Sequence, residues 1–189
     1  MTPGMRARRL DNEWQAVTRL AECNPGVVSA VERTIREARE IFQLCLCQSA
    51  GISLSSGEEG IAWDHGLQLR FPRFYPAVPL EAYLDNPVFH PNVDPATGFI
   101  CLWDRTSPGD NALEAVRRVQ AILAWKMFNL ETVHVMQPKA AEWLATQAEF
   151  TLPLRHTTIR TPPEWQMERF VSKAPATPGR RRLSSWEAG

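Results

Sequence analysis

From Phe71 to Gly98 the chain reads "FPRFYPAVPLEAYLDNPVFHPNVDPATG", with prolines at 72, 76, 79, 87, 91 and 95. Each proline fixes its own φ and brings no backbone N–H, so neither a long helix nor an unbroken sheet ladder can pass through this stretch. Only "LEAYL", between Pro79 and Asn86, leaves room for a short strand. The remainder is expected as ordered loop, because six rigid residues reduce the entropy that the unfolded chain has to lose. A protein that orders so much irregular backbone is positioning side chains, and loops held on a rigid scaffold are where chemistry concentrates.

Periodicity supplies the scaffold. Residues 6–22 place Leu10, Trp14, Val17 and Leu20 on one stripe of a helix, and "NPG" at 24–26 stops it. "VVSAVERTI" (27–35) reads as a first strand. "IFQLCLC" (41–47) alternates Phe42, Leu44 and Leu46 against Gln43, Cys45 and Cys47, a second strand with both cysteines on its other face. "SSGEEG" (55–60) is expected as a turn or exposed loop, and "GLQLRF" (66–71) as a third strand. Beyond the proline-rich stretch, residues 112–128 are helical, with Leu113, Val116, Val119 and Leu123 on one stripe and Asp110 or Asn111 placed to cap them. A last helix starts near Pro138 and runs through "KAAEWLATQAEF". Strands in succession followed by helices indicate an α+β domain: an N-terminal helix, a four-stranded antiparallel meander, a catalytic loop and C-terminal helices.

Composition narrows the class. Apolar content of 44% with 22% charged residues is ordinary for a globular chain, and no apolar run approaches a bilayer span. The N-terminus passes from basic residues straight into the helical pattern without a signal-peptide block, so a cytoplasmic protein with reduced thiols is expected. The formal charge is zero, but residues 151–189 hold seven basic and three acidic side chains and the preceding 150 carry the opposite excess. That balance argues against nucleic-acid binding by the folded part and reads the terminal "GRRR" as a solvated tail. The expected organisation is a catalytic domain over 5–150, an extension over 151–174 where Trp165 and Phe170 are apolar enough to dock, and a disordered tail over 175–189. Cys45, Cys47, His65 and His90 have no recognised metal-ligand spacing, and no metal is expected.

Cys101, between Ile100 and Leu102, is a small buried filler or a nucleophile. A thiolate that carries an acyl group as a thioester needs an accessible sulfur and a donor for the oxyanion, and the side-chain amide of Asn92 is a candidate donor. His90, wedged between Phe89 and Pro91, suits a structural imidazole. His65, His134 and His156 are scattered, so no Cys–His pair stands out and hydrolysis is poorly supported.

Four segments together resemble the ubiquitin-conjugating enzymes. "FPRFYPAVP" (71–79) is similar to their F-P-x-x-Y-P-x-x-P signature, and "HPNVDPATGFICL" (90–102) to their H-P-N…G-x-I-C-L catalytic segment. "SPG" (107–109) resembles the S-P-A loop after the cysteine, and "QPKAAEWL" (137–144) the P-x-x-A-A that opens a late helix. The resemblance covers roughly residues 5–150, with the segments in family order. It implies the conjugating-enzyme fold and no cofactor. Cys101 would accept a ubiquitin-like modifier from an activating enzyme and pass it to a lysine of a target protein. Asn92 would stabilise the oxyanion or brace the loop around it, and His90 would hold the triplet's shape. Arg6, Arg8, Arg9 and Glu13, on the polar side of the first helix, would dock the activating enzyme, with further partner contacts at Ala77, Ser107 and Pro108.

Departures from the pattern accompany the match. The Asn-to-Cys spacing is one residue longer than in the commonest members, through "DPATG". Where the family has an Asp that orients or deprotonates the incoming lysine, this chain has "MFNLETVHVMQP", in which Asn129, Glu131 and His134 are the candidates to replace it. Ala77 stands where many members place a ligase-contacting Phe. These departures resemble bacterial relatives encoded beside a ubiquitin-like protein, an activating enzyme and a deconjugating peptidase in phage-defence operons. The alternative expectation is a catalytically silent module of the same fold that binds a modifier or an activating enzyme.

Overall fold

Strand alternation in this chain converges on one row of side chains. In the computed structural model, which describes residues 4–37, 39–55, 58–86, 88–103, 107, 109–146 and 151–162, Phe42 pairs with Leu69, Leu69 with Ala82, and Ala82 with Ile100. All four are buried, so one apolar row crosses four strands and ends one residue before Cys101. The elements run α1 (Met5–Cys23), β1 (Val28–Arg36), β2 (Arg39–Leu46), β3 (Gly51–Ser55), β4 (Glu58–Ala62), β5 (His65–Phe71), β6 (Glu81–Leu84), β7 (Phe99–Ile100), α2 (Ala112–Leu123), a 3-10 turn (Thr132–His134) and α3 (Pro138–Thr146). An antiparallel sheet in the order β1-β2-β5-β6-β7 is packed against Leu10, Val17 and Leu20 of α1 and Val116, Val119 and Leu123 of α2. This is the expected α+β arrangement, with β7 added at the edge of the meander.

Two expectations about elements are corrected. Ser55 and residues 58–60 of "SSGEEG" are strand, in β3 and β4 respectively, which pair with Ile52 opposite Ile61, and Ser53 bridges Val88; residues 56 and 57 lie outside the described residues. The helix expected over 112–128 stops at Leu123, because Trp125 takes a left-handed φ of 56° and its N–H bonds back to Ile122. A left-handed backbone is unfavourable for a bulky residue. Here burial offsets it: the indole enters a second core with Phe89, Ala140 and Leu154, its ring 5.1 Å from that of Trp143. Of the two proposed caps, Asn111 accepts from the Glu114 N–H.

Residues 151–162 lie against the domain: the Leu154 N–H bonds to the Ala124 carbonyl, and Asn24 exchanges hydrogen bonds with the Arg160 backbone. The end of the last expected helix (147–150), Trp165, Phe170 and the basic tail lie outside the described residues. Among the described residues, no helix is long and apolar enough to cross a membrane.

Candidate active site

Two short tethers fix where Cys101 stands. The Cys101 N–H donates to the Asn92 carbonyl at 2.8 Å, and Val93 bridges Ile100, so the "HPN" segment and the cysteine strand form one ribbon. The turn between them absorbs the longer spacing. Asp94 accepts from the Ala96 N–H at 3.0 Å and from the Thr97 hydroxyl at 2.6 Å, which holds its carboxyl below the usual range. Gly98 closes the turn with φ +73°, and a Cβ there would stand 2.0 Å from the Leu84 carbonyl oxygen. Only glycine satisfies both conditions.

The residues beneath the ribbon are buried and hydrogen-bonded. His90 Nδ1 accepts from the Asn92 N–H at 3.1 Å, and its ring meets the edge of Trp125 at 4.7 Å. Burial drives its pKa down to about 3, against a smaller opposing effect of the Met127 backbone, so the imidazole is neutral. Gln137 Nε2 donates to the carbonyls of Val88 at 2.7 Å and Val93 at 2.8 Å, while the Pro91 carbonyl accepts from Met136 and Gln137. Gln137 was not among the expected site residues. A polar residue just ahead of the Pro138 that opens α3 was its only sequence signal.

Asn92, 2% exposed, reaches across to the segment after α2. Its Nδ2 donates to the carbonyls of Asn129 at 2.6 Å and His134 at 2.9 Å, and its Oδ1 accepts from the Asn129 N–H at 2.7 Å. A primary amide has two hydrogens, and both are engaged. Of the two roles implied for Asn92, this geometry is that of a brace.

What the brace holds corrects the expectation that no Cys–His pair exists: His134 Nδ1 lies 3.1 Å from Cys101 Sγ. Asn129 Oδ1 accepts from the Glu131 N–H at 2.8 Å, and the Glu131 carbonyl accepts from the His134 N–H at 2.8 Å, which tightens the turn. The Glu131 carboxylate is exposed and stands 3.9 Å from His134 Nε2, beyond hydrogen-bond length. Three residues offered as substitutes for one role thus separate into a backbone tie (Asn129), a distant charge (Glu131) and a direct contact (His134). Cys101 also borders a shallow cavity of about 140 Å³ lined by Pro79, Leu80, Phe99 and Trp103.

The first helix is also corrected in part. Glu13 is 5% exposed and does not belong to a polar surface. It accepts from the Tyr75 hydroxyl at 2.7 Å and from the Ala112 N–H at 2.8 Å, and pairs with Arg9 at 2.7 Å. Burial first, then the Glu13 carboxylate, push the Tyr75 phenol above its ordinary pKa. Glu13 falls three residues after Leu10 and four before Val17, on the apolar stripe itself, and that spacing is the signal for its burial. Arg6 donates to the Pro72 carbonyl at 3.2 Å, and Arg8 is exposed. Ala77 is exposed beside exposed Phe74 and Val78. The Ser107 N–H donates to Asp110 Oδ2 at 2.7 Å, and Pro108 lies outside the described residues. Among the described residues, no group of three or more His, Cys, Asp or Glu side chains is arranged to hold a metal ion.

No protein-family model and no curated protein matches the chain. Solved structures do. A protein from Trypanosoma cruzi assigned as a ubiquitin conjugating enzyme superposes with a TM-score of 0.53 at 16% identity, over 77% of this chain and 91% of that one. A protein from Plasmodium yoelii with the same assignment superposes with a TM-score of 0.51 at 18% identity, over 77% of this chain and 87% of its own. At such identities the likeness establishes the fold: the chain has the ubiquitin-conjugating-enzyme fold.

Proposed function

We propose that this fold carries here the activity its signatures imply: an acyltransferase that takes a ubiquitin-like modifier from an activating enzyme as a thioester on Cys101 and passes it to a lysine amine. The seating of Cys101 carries this reading. Its thiol is half-buried at the mouth of a shallow apolar cavity, on a backbone tied to Asn92 and backed by the row ending at Ile100. A fully buried filler would lack the exposure that Cys101 keeps.

In the proposed reaction the Cys101 sulfur attacks the modifier's thioester carbonyl, the S–C bond forms, and the activating enzyme's thiolate leaves. An amine nitrogen then attacks the same carbon, the C–N bond forms, and the Cys101 thiolate leaves. Asn92 contributes by holding the 129–134 segment beside the sulfur. Arg8 and the exposed Phe74, Ala77 and Val78 are the surfaces offered to partners.

Incubation with ATP, an activating enzyme and its modifier is expected to give an adduct that thiol reagents cleave. The Cys101→Ala variant loses it, and an adduct that survives this substitution sinks the reading. A silent module of the same fold would bind the modifier or the activating enzyme and form no adduct. The phage-defence setting draws its support from the sequence departures, and an adjacent pair of genes for a ubiquitin-like protein and an activating enzyme is its test.

A further inference from the structure

Cys101 Sγ meets a side chain from 33 positions further along the chain: His134 Nδ1 lies 3.1 Å away. The geometry points to His134 as the proton-transfer residue of this site, taking the Cys101 proton when the thioester is loaded and the amine proton when it is discharged. Both transfer steps rest on the conjugating reading above; the acceptance of the Cys101 proton by His134 does not.

Three observations carry the assignment. The first is seating. The His134 N–H donates to the Glu131 carbonyl at 2.8 Å and its carbonyl accepts from Asn92 Nδ2 at 2.9 Å, while Met136 and Gln137 are tied to the Pro91 carbonyl two and three residues on. The imidazole is held at the sulfur by backbone on both sides of it. The second is polarity. A thiol that donates to Nδ1 requires the proton of the neutral ring on Nε2, and the carboxylate facing Nε2 at 3.9 Å, that of Glu131, favours it there. The third is the remaining electrostatics. Glu81 faces the cavity from β6 but is engaged by Arg39 at 3.3 Å and Tyr83 at 3.2 Å. Arg118 of α2 is engaged by the Leu102 carbonyl at 3.3 Å and by Glu114 at 3.1 Å. His90 is buried and neutral. His134 is the base seated at the sulfur.

The proton balance closes at each step. In loading, the Cys101 S–H proton passes to Nδ1 as Sγ attacks, and the imidazolium returns it to the departing thiolate of the activating enzyme. In discharge, the attacking amine gives its proton to Nδ1 as the C–N bond forms, and the imidazolium returns it to the Cys101 thiolate as the C–S bond breaks. No oxidant, metal or further reactant enters.

The test measures the rate at which iodoacetamide modifies Cys101 as a function of pH, on the full chain without modifier or activating enzyme, with the labelled peptide identified by mass spectrometry. In the His134→Gln variant, glutamine can still hydrogen-bond the sulfur but cannot take its proton. The half-point of the profile is expected to rise by about one unit or more, toward the ~8.5 of an ordinary thiol; profiles that superimpose overturn the assignment. On the loaded protein, discharge to free lysine at pH 7 is expected to fall about 10²-fold in the same variant, and an unchanged rate overturns the amine step. Failure of the wild-type chain to load any modifier overturns the conjugating reading and leaves the alkylation result standing. Normal loading with superimposed profiles does the reverse.

Discussion

Cys47 and Cys101 occupy matching positions: each is half-buried, each follows the last residue of a strand, and each donates its N–H to a loop carbonyl at 2.8 Å. Their sulfurs have opposite surroundings. Cys47 sits 3.4 Å from Cys45 Sγ, and burial, Cys45 and the Asp64 carboxylate together push its thiol up to about 12. Cys101 meets an imidazole instead. The fold also buries two histidines, His65 and His90, each with its pKa lowered chiefly by burial. The difference teaches that backbone position does not set thiol chemistry. Its surroundings do: burial first, then a second thiol and a carboxylate, suppress the Cys47 thiolate, and a base beside a sulfur promotes one.

The largest expected effect is selectivity. At pH 7.5, Cys101 should alkylate on the order of 10³-fold faster than Cys47, the difference in thiolate fraction between an ordinary or lowered thiol and a strongly raised one. Comparable rates at the two peptides would break the comparison outright.

The Asn92→Ala substitution sharpens it. Removing the brace leaves two carbonyls and one N–H of the 129–134 segment without their partner, so His134 loses its seat. Discharge is expected to slow about 10²-fold, with the Cys101 alkylation profile moving in the same direction as in His134→Gln while Cys47 is unaffected. A wild-type profile in Asn92→Ala contradicts the bracing role.

Gly98→Ala attacks the ribbon under one sulfur and leaves the strand under the other intact. With φ at +73° and the Leu84 carbonyl in the way, the cost is expected to be about 2 kcal/mol or more, read from urea unfolding midpoints. A midpoint equal to wild type refutes the account of the turn.

The smallest effect per unit is acid sensitivity, which the two regions share. His90 titrates near 3 in the fold and near 6.5 when unfolded, so between these values only the unfolded chain takes the proton. Its contribution is complete above pH 6.5 and is lost as pH falls toward 3, by up to about 1.4 kcal/mol per unit. The lowered pKa of His65 acts with the same sign. His90→Asn, which retains an acceptor for the Asn92 N–H, should show a shallower fall between pH 6.5 and 4. Equal slopes would show that His90 is not the group responsible.

Most of the scaffold was legible because local periodicity encodes it: the stripe of α1, the alternation of β2 and β5, the capped start of α2 and the pinned loop. Where local signals failed, a distant partner had decided. "SSGEEG" carries turn residues, and only the pairing of β3 with β4, Ile52 opposite Ile61 and Ser55 opposite Glu58, puts its two ends in strands. The sequence around Leu123 has no glycine or proline to stop a helix, and the stop comes from Trp125 turning into a core formed by Phe89 and Trp143.

The same division holds at the site. Sequence alone determined an α+β domain with a rigid proline-held loop, a cysteine at its end and an asparagine positioned to serve it, since residue type and short spacing fix these. Tertiary structure decided which histidine meets the sulfur. His134 is remote from Cys101 along the chain and lies in a segment with no periodic pattern, and its place is set by three hydrogen bonds from one buried amide. Contacts made by side chains across loops have no local period to announce them, so they exist only once the chain has closed.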